Sequence, residues 1–238
     1  MDVVYPVRPG ESNDELRYSL RSLEVNFPKA DRVWVVGFKP SWLRGVEFID
    51  GNDGPNGHAN VYRNVLKAMR HPGVSDDVVV FNDDFFVLDP IAEVQTLYRG
   101  TMDEHLSLPR LRVKGNNWWK DSLTITKVCL QAVGVSKPLS YELHVPMPCK
   151  KGLMRETLER FADVTPDNPP QWRTLYGNLH VTGAVQSQDS KVFRTGRFPR
   201  PYLSTSDAVW RQFSRRIMAM FPDPSRFEGK PAAVRRRA

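Results

Sequence analysis

Apolar positions along the chain fall into two recurring patterns. Val3-Val4-Tyr5-Pro6-Val7, Arg32-Val33-Trp34-Val35-Val36-Gly37 and Asp77-Val78-Val79-Val80-Phe81 are short continuous runs rich in β-branched and aromatic residues. Strands buried on both faces have this composition. The first run is cut by Pro6 and leads into Arg8-Pro9-Gly10; the second ends at Lys39-Pro40. Phe48-Ile49 predicts one more short strand. Between the runs, Leu16, Leu20 and Leu23 recur at helical spacing up to Pro28. Ser12, three residues before Glu15, reads as a capping box at the start of that helix. A loop rich in Gly and Asn, Asp50 to Asn60, precedes a second helix in which Val61, Val65 and Met69 share a face.

Strand, helix, strand, loop, helix, strand predicts an α/β fold with a mostly parallel sheet flanked by helices. Ligands of such sheets sit at the carboxyl ends of strands. Two segments meet that description: Pro6-Val7-Arg8 and Asn82-Asp83-Asp84. Further on, Val209, Phe213, Ile217 and Met220 line one side of a helix from Asp207 to Phe221, with Arg211, Arg215 and Arg216 on another. Pro222 and Pro224 end it, and the residues from about Ser225 onward read as disordered.

Length and composition narrow the class. The 238 residues suffice for one large domain or two small ones, and 40% hydrophobic with 26% charged residues are globular values. No run approaches the 18 apolar residues of a membrane span. The chain opens Met1-Asp2 with no signal-peptide pattern, so a cytoplasmic location is expected. Cys129 and Cys149 are too few for a disulfide framework or a zinc site and are expected to be reduced thiols. The formal charge is +7, but it is unevenly spread. Twelve Lys and Arg stand against Asp207, Asp223 and Glu228 from Lys191 to the end. The preceding residues are nearly neutral, so the basicity belongs to a tail.

Adjacent carboxylates at the end of a buried strand repel each other and need a compensating cation. Hard oxygen ligands suit Mg²⁺ or Mn²⁺, and such an ion would neutralise a diphosphate as it leaves. A solvated turn is the alternative. In the later chain, alternation puts Glu142 and His144 on the same side of Tyr141-Glu142-Leu143-His144-Val145-Pro146, a plausible general-base arrangement for a hydroxyl. Trp118-Trp119, beside Asn116-Asn117, reads equally as a sugar-stacking platform or as core.

The segments Asp2–Tyr5, Asn13–Leu23, Val35–Gly37 and Ser75–Phe86 occur in an order and spacing that resemble two related groups. One is the Stealth-type sugar-phosphate transferases; the other is a set of glycosyltransferase-like proteins of actinobacterial phages. The resemblance covers about residues 1–90 and is fainter over 140–185. It implies a glycosyltransferase A-type (Rossmann-like) fold over 1–190, with a nucleotide-sugar half at 1–90 and an acceptor half at 91–190. Residues 191–238 would be a basic helical C-terminal extension. In that fold an Asp-x-Asp-like element holds the metal and donor; here the triplet is Asn82-Asp83-Asp84. Asp83 and Asp84 are thereby implied metal ligands, and Asn82, Arg8, His58 and Asn60 donor-side residues. His180 and Gly183, in a late His-x-x-Gly, look like an element adding a His to the metal and a Gly backbone near the diphosphate. Arg8, Lys151 and Arg173 are candidates to offset diphosphate charge.

The implied function is metal-dependent transfer of a sugar from a nucleotide-sugar to a hydroxyl, with hydroxylated DNA bases or Ser/Thr of virion proteins as acceptors. Sugar-1-phosphate transfer of the Stealth type is an alternative. A non-catalytic nucleic-acid-binding protein using the basic tail is another.

Overall fold

The computed structural model describes residues 1–51, 54–112, 117–194 and 196–229. The chain begins with β1 (Asp2–Val7), α1 (Asp14–Asn26), β2 (Arg32–Gly37), β3 (Glu47–Asp50), α2 (Gly57–Arg70), β4 (Asp77–Val80) and β5 (Phe85–Val87). It continues through β6 (Leu97–Tyr98), β7 (Gly100–Thr101), α3 (Met102–Leu106), α4 (Trp118–Ala132), β8 (Leu139–Ser140), β9 (Met147–Lys150) and α5 (Lys151–Arg160). The last elements are α6 (Trp172–His180), β10 (Val185–Gln186), β11 (Tyr202–Ser204) and α7 (Asp207–Met220).

The central sheet has the order β3-β2-β1-β4-β9. Its first four strands are parallel and β9 is antiparallel to β4. Val3, Val4, Val35, Val36, Val79 and Val80 are fully buried, as their uninterrupted apolar runs require. One face packs on Leu16, Leu20 and Leu23 of α1, the other on Val65 and Met69 of α2 and Met154 and Leu158 of α5.

Pro6 does not end β1. It pairs with Val36 of β2, and the β4 ladder has stopped at Val4 and Val80, so the missing N–H falls where no strand remains to accept it. The capping box does not form either. Asn13, in the left-handed region at φ 51°, caps α1 without a side-chain bond. Glu15 accepts instead from the Thr205 hydroxyl at 2.5 Å.

Charge alone divides the chain at residue 190; packing does not. β11 pairs antiparallel with β5, and α7 buries Val209, Phe213 and Ile217 against Phe86, Leu88 and Leu203. Burial of such side chains contributes about 1.5–3 kcal/mol each. Met220 is only partly covered. The segment from Ser225 to Gly229 is ordered, contrary to the expectation. Phe227 enters the main core, and Glu228 takes a two-pronged bond from Arg21 of α1 at 2.7 and 2.8 Å. The remaining terminal residues, with Arg235, Arg236 and Arg237, lie outside the described ones.

Candidate active site

β1 and β4 are neighbouring parallel strands, so Arg8 and the turn Asn82–Asp84 emerge side by side at their carboxyl ends. Gly37, at the end of β2 with φ +113°, lets the next loop press on them: a Cβ there would lie 2.3 Å from the Val7 carbonyl oxygen. Beyond these ends opens a cavity of about 310 Å³. It is lined by Arg8, His58, Asn60, Asn82, Asp83, Glu142 and His144, together with Trp118, Trp119 and Arg173. A second cavity of about 460 Å³ adjoins it through Arg8 and Asp83, and Glu15, Asp84, Lys191 and Asp207 line its walls.

The acidic turn is short of positive charge. Burial pushes the Asp83 carboxyl up to about 7, with Asp84 and Glu15 adding to the effect and Arg8 opposing it. Among the described residues, no other residue hydrogen-bonds this carboxylate. Asp84 is better served: Oδ2 accepts from Ser204 Oγ at 2.8 Å and lies 3.4 Å from Lys191 Nζ. Burial also raises the Glu15 pKa, against the lowering effect of the Thr205 hydrogen bond. Arg8 is drawn to the rim by Asp207 at 2.7 Å.

Arg173 is a buried cation at the second position of α6. Its guanidinium lies 4.4 Å from the Trp172 ring centroid and 5.4 Å from that of Phe85. Nη2 donates to Asn82 Oδ1 at 3.2 Å, and Nε is buried without a partner. Glu142 anchors this helix from outside: Oε1 accepts from the Thr174 backbone N–H at 3.2 Å and its hydroxyl at 2.9 Å. A carboxylate there satisfies one of the orphan amides of a helix start, and the capping residue Gln171 offers no side-chain bond.

Glu142 and His144 both face the cavity, but they do not pair. The His144 ring Nδ1 lies 3.0 Å from both oxygens of Asp189, which also accepts the His144 backbone N–H at 2.9 Å. Arg99 Nη2 donates to the same carboxylate at 2.5 Å. Burial opposes ionisation of Asp189, but the His144 and Arg99 contacts prevail and hold its carboxyl well below the ordinary carboxylate range. No sequence pattern marked Asp189, whose neighbours Ser187, Gln188 and Ser190 read as an ordinary loop.

Also lining the cavity, His58 contacts the Pro169 carbonyl oxygen through Nε2 at 2.9 Å, and burial lowers the His58 pKa. Asn56 is the cap of α2. Asn60 uses both ends of its amide to hold Gly54, at 2.6 and 3.0 Å. Trp118 divides the two readings with its neighbour. It is 52% exposed at the cavity rim, whereas Trp119 packs on Met102, Leu111 and Leu123 while still touching the cavity. Asn116 lies outside the described residues.

Three expectations fail geometrically. His180 does not join Asp83 and Asp84: it closes α6, and its Nε2 meets Thr157 Oγ1 of α5 at 2.8 Å. No group of three or more His, Cys, Asp or Glu side chains able to hold a metal occurs among the described residues. Gly183 does not line either cavity. Its φ of +76° serves a turn, with nothing within 4 Å of a built Cβ. Lys151 Nζ donates to the Val74 carbonyl at 2.7 Å, and the residue lines neither cavity. Of the three cations considered, Arg8 and Arg173 are the ones that reach the first cavity.

The sheet order, its antiparallel edge strand and the ligand-sized cavity at the strand ends define the glycosyltransferase A-type fold. Solved structures agree. The chain is similar to the galactosyltransferase LgtC in complex with donor and acceptor sugar analogues, at 13% identity and a TM-score of 0.58 over 97% of this chain and 98% of that one. An active-site mutant of LgtC matches at 14% identity and a TM-score of 0.53, with the same coverage. No protein-family model matches the chain, and no curated protein matches it. No helix among the described residues is long and apolar enough to cross a membrane.

Proposed function

We propose that the protein is a glycosyltransferase that moves a sugar from a nucleotide-sugar to a hydroxyl acceptor and uses a divalent cation, Mg²⁺ or Mn²⁺. The observation that carries this reading is the convergence of Arg8, Asn82, Asp83, His144 and Arg173 on one cavity at the carboxyl ends of an A-type sheet. The volume, about 310 Å³, suits a small-molecule ligand.

Asp83 and Asp84 fit a hard cation. The Asp83 carboxylate is crowded by other carboxylates and receives no hydrogen bond from another described residue; one oxygen of Asp84 is left uncommitted. Two carboxylates suffice for an ion that takes its remaining ligands from phosphate oxygens and water. Bound there, the cation would offset diphosphate charge as the glycosidic bond breaks. Arg8 and Arg173 supply further positive charge on the same side. Arg173 also holds the Asn82 carbonyl, which leaves the amide nitrogen as the donor toward a ligand oxygen. Trp118 offers an exposed indole for a ring to pack on. His144 accepts the proton of the acceptor hydroxyl.

For the acceptor, exposure of Arg211, Arg215 and Arg216 on α7 supports a phosphate-bearing partner such as DNA. The first residues of that helix line the second cavity. Reversing Arg211 and Arg215 to Glu should weaken turnover on a DNA acceptor, with the difference fading as salt rises.

The test is a thermal-shift panel of UDP, GDP, dTDP and their sugars with and without Mn²⁺, followed by identification of the released nucleotide. Stabilisation that requires both nucleotide and Mn²⁺, with release of a nucleoside diphosphate, supports the reading. Release of a nucleoside monophosphate means sugar-1-phosphate transfer instead. No shift with any nucleotide removes both.

A further inference from the structure

We infer that Asp189, braced by Arg99, is the positioning residue for His144, and that this pair rather than Glu142 aims the imidazole at the acceptor hydroxyl. The inference rests on the transferase reading for its chemistry, but its geometry stands on the contacts alone.

His144 gives two groups to one carboxylate, its backbone N–H at 2.9 Å and its ring Nδ1 at 3.0 Å from both oxygens. Two anchors from one residue remove the freedom of the ring to turn. An ionised carboxylate only accepts, so the proton of the neutral imidazole sits on Nδ1 and the lone pair on Nε2. Nε2 has no hydrogen-bond partner among the described residues, and the ring lines the cavity. Asp189 is equally constrained. Arg99 Nη2 reaches Oδ2 at 2.5 Å and the Glu142 carbonyl at 3.4 Å, so one guanidinium ties Asp189 to the segment that carries His144. The Lys191 backbone N–H adds a fourth donor at 3.3 Å.

Other titratable neighbours do not compete for the ring. Glu142 spends Oε1 on Thr174. His105, buried behind this cluster, has its pKa driven down to about 4, first by burial and then by Arg99 and Arg110. It therefore stays neutral and adds no charge. The Asp189–Lys191 segment also reaches the metal turn, since Lys191 Nζ lies 3.4 Å from Asp84 Oδ2. One short stretch of chain thus touches both the base and the acidic turn.

In the transfer step the acceptor oxygen bonds to the anomeric carbon while its proton passes to His144 Nε2. The bond from that carbon to the diphosphate oxygen breaks, and the electron pair leaves on the nucleoside diphosphate. The imidazolium, stabilised by Asp189, returns its proton to water.

The experiment measures nucleoside diphosphate release from UDP-glucose, UDP-galactose, GDP-mannose and dTDP-glucose, with water as acceptor, for wild type, His144→Ala and Asp189→Asn. Expected for His144→Ala is a fall in kcat of about 100-fold with KM for the donor unchanged, reversed by added imidazole. Asp189→Asn should lower kcat of the same donor, again at constant KM, but without imidazole rescue. Independently of turnover, long-range ¹H–¹⁵N spectra of the histidine rings, assigned with His144→Gln, should show His144 protonated on Nδ1 in wild type and mixed in Asp189→Asn. A wild-type ring protonated on Nε2, or His144→Ala turning over within threefold of wild type, overturns the inference. Failure of wild type on every donor defeats the transferase reading instead, and the ring spectra then decide the Asp189 pairing by themselves.

Discussion

Two aspartates, one lining the cavity and one behind its His144, have opposite electrostatics. Asp83 stands in a turn with Asp84 and Glu15 beside it, and its carboxyl is pushed up to about 7 by burial and by those neighbours. Asp189 is also largely buried, yet it is held well below the ordinary range because His144 and Arg99 outweigh the burial. The same side chain is short of a cation in one place and fully supplied in the other. The contrast is between a carboxylate that no other described residue hydrogen-bonds and one held by donors from His144, Arg99 and Lys191.

The largest expected effect breaks the acidic side. Replacing Asp83 and Asp84 together by Ala should lower turnover about 1000-fold or more and abolish the Mn²⁺-dependent part of the nucleotide thermal shift. Unchanged Mn²⁺ dependence would remove both residues as ligands.

Next comes the tie that binds the C-terminal segment to the body. Glu228→Gln takes a carboxylate from the nearly buried Arg21 pair, side chains 9% exposed on each side. Stability should fall by about 2–3 kcal/mol at pH 7. Burial works against the Glu228 charge, but Arg21 and the Ser225 bonds lower its pKa. Its contribution is therefore present above the unfolded glutamate range and lost as pH falls through the folded value. Denaturant melts of wild type and Glu228→Gln should converge toward acid pH.

A smaller effect sharpens the contrast itself. In chelator-treated protein, Asp83 has a folded pKa above its unfolded one, so its ionisation costs stability as pH rises from about 4 to about 7. Asp83→Asn should raise stability at pH 8 by about 1 kcal/mol after solvent screening, and the melting point with it. Asp189 has the reverse sign: its pKa is depressed, its contribution is full at neutral pH and is lost in strong acid. Asp189→Asn should lower the melting point at pH 8. Shifts of the same sign in both variants would contradict the comparison.

The smallest effect concerns the rim. Trp118→Ala should raise the donor or acceptor KM by about 3- to 10-fold with little change in kcat or melting point, because the indole is half exposed and its loss removes one stacking face. A loss of several degrees would make it a core residue.

Much of the first ninety residues was legible along the chain. Continuous Val runs announce strands buried on both faces, and the leucines of α1 announce the helix that covers them, since burial of these side chains is the dominant local signal. Asn82-Asp83-Asp84 stood out because two carboxylates after an apolar run have no packing reason. The later half of the chain was less legible. Glu142 and His144 lie two apart, and alternation suggested a pair, but one caps α6 and the other turns to Asp189. His180 and Gly183 carried a motif-like spacing that the fold places on the far end of α6.

By itself the sequence determined β1 to β4, α1, α2 and α7, that the central sheet is mostly parallel, and that acidic groups end one strand. These follow from local periodicity and from the cost of leaving valine and leucine in water. Only tertiary structure decided the partners. Arg99 and Asp189 are far apart in sequence, as are His144 and Asp189, and Arg173 and Asn82. It also decided that the basic C-terminal stretch is woven in through β11, α7 and Glu228. Charge–charge contacts have no periodicity to betray them, because a single hydrogen bond can join any two points that the packed core brings within 3 Å.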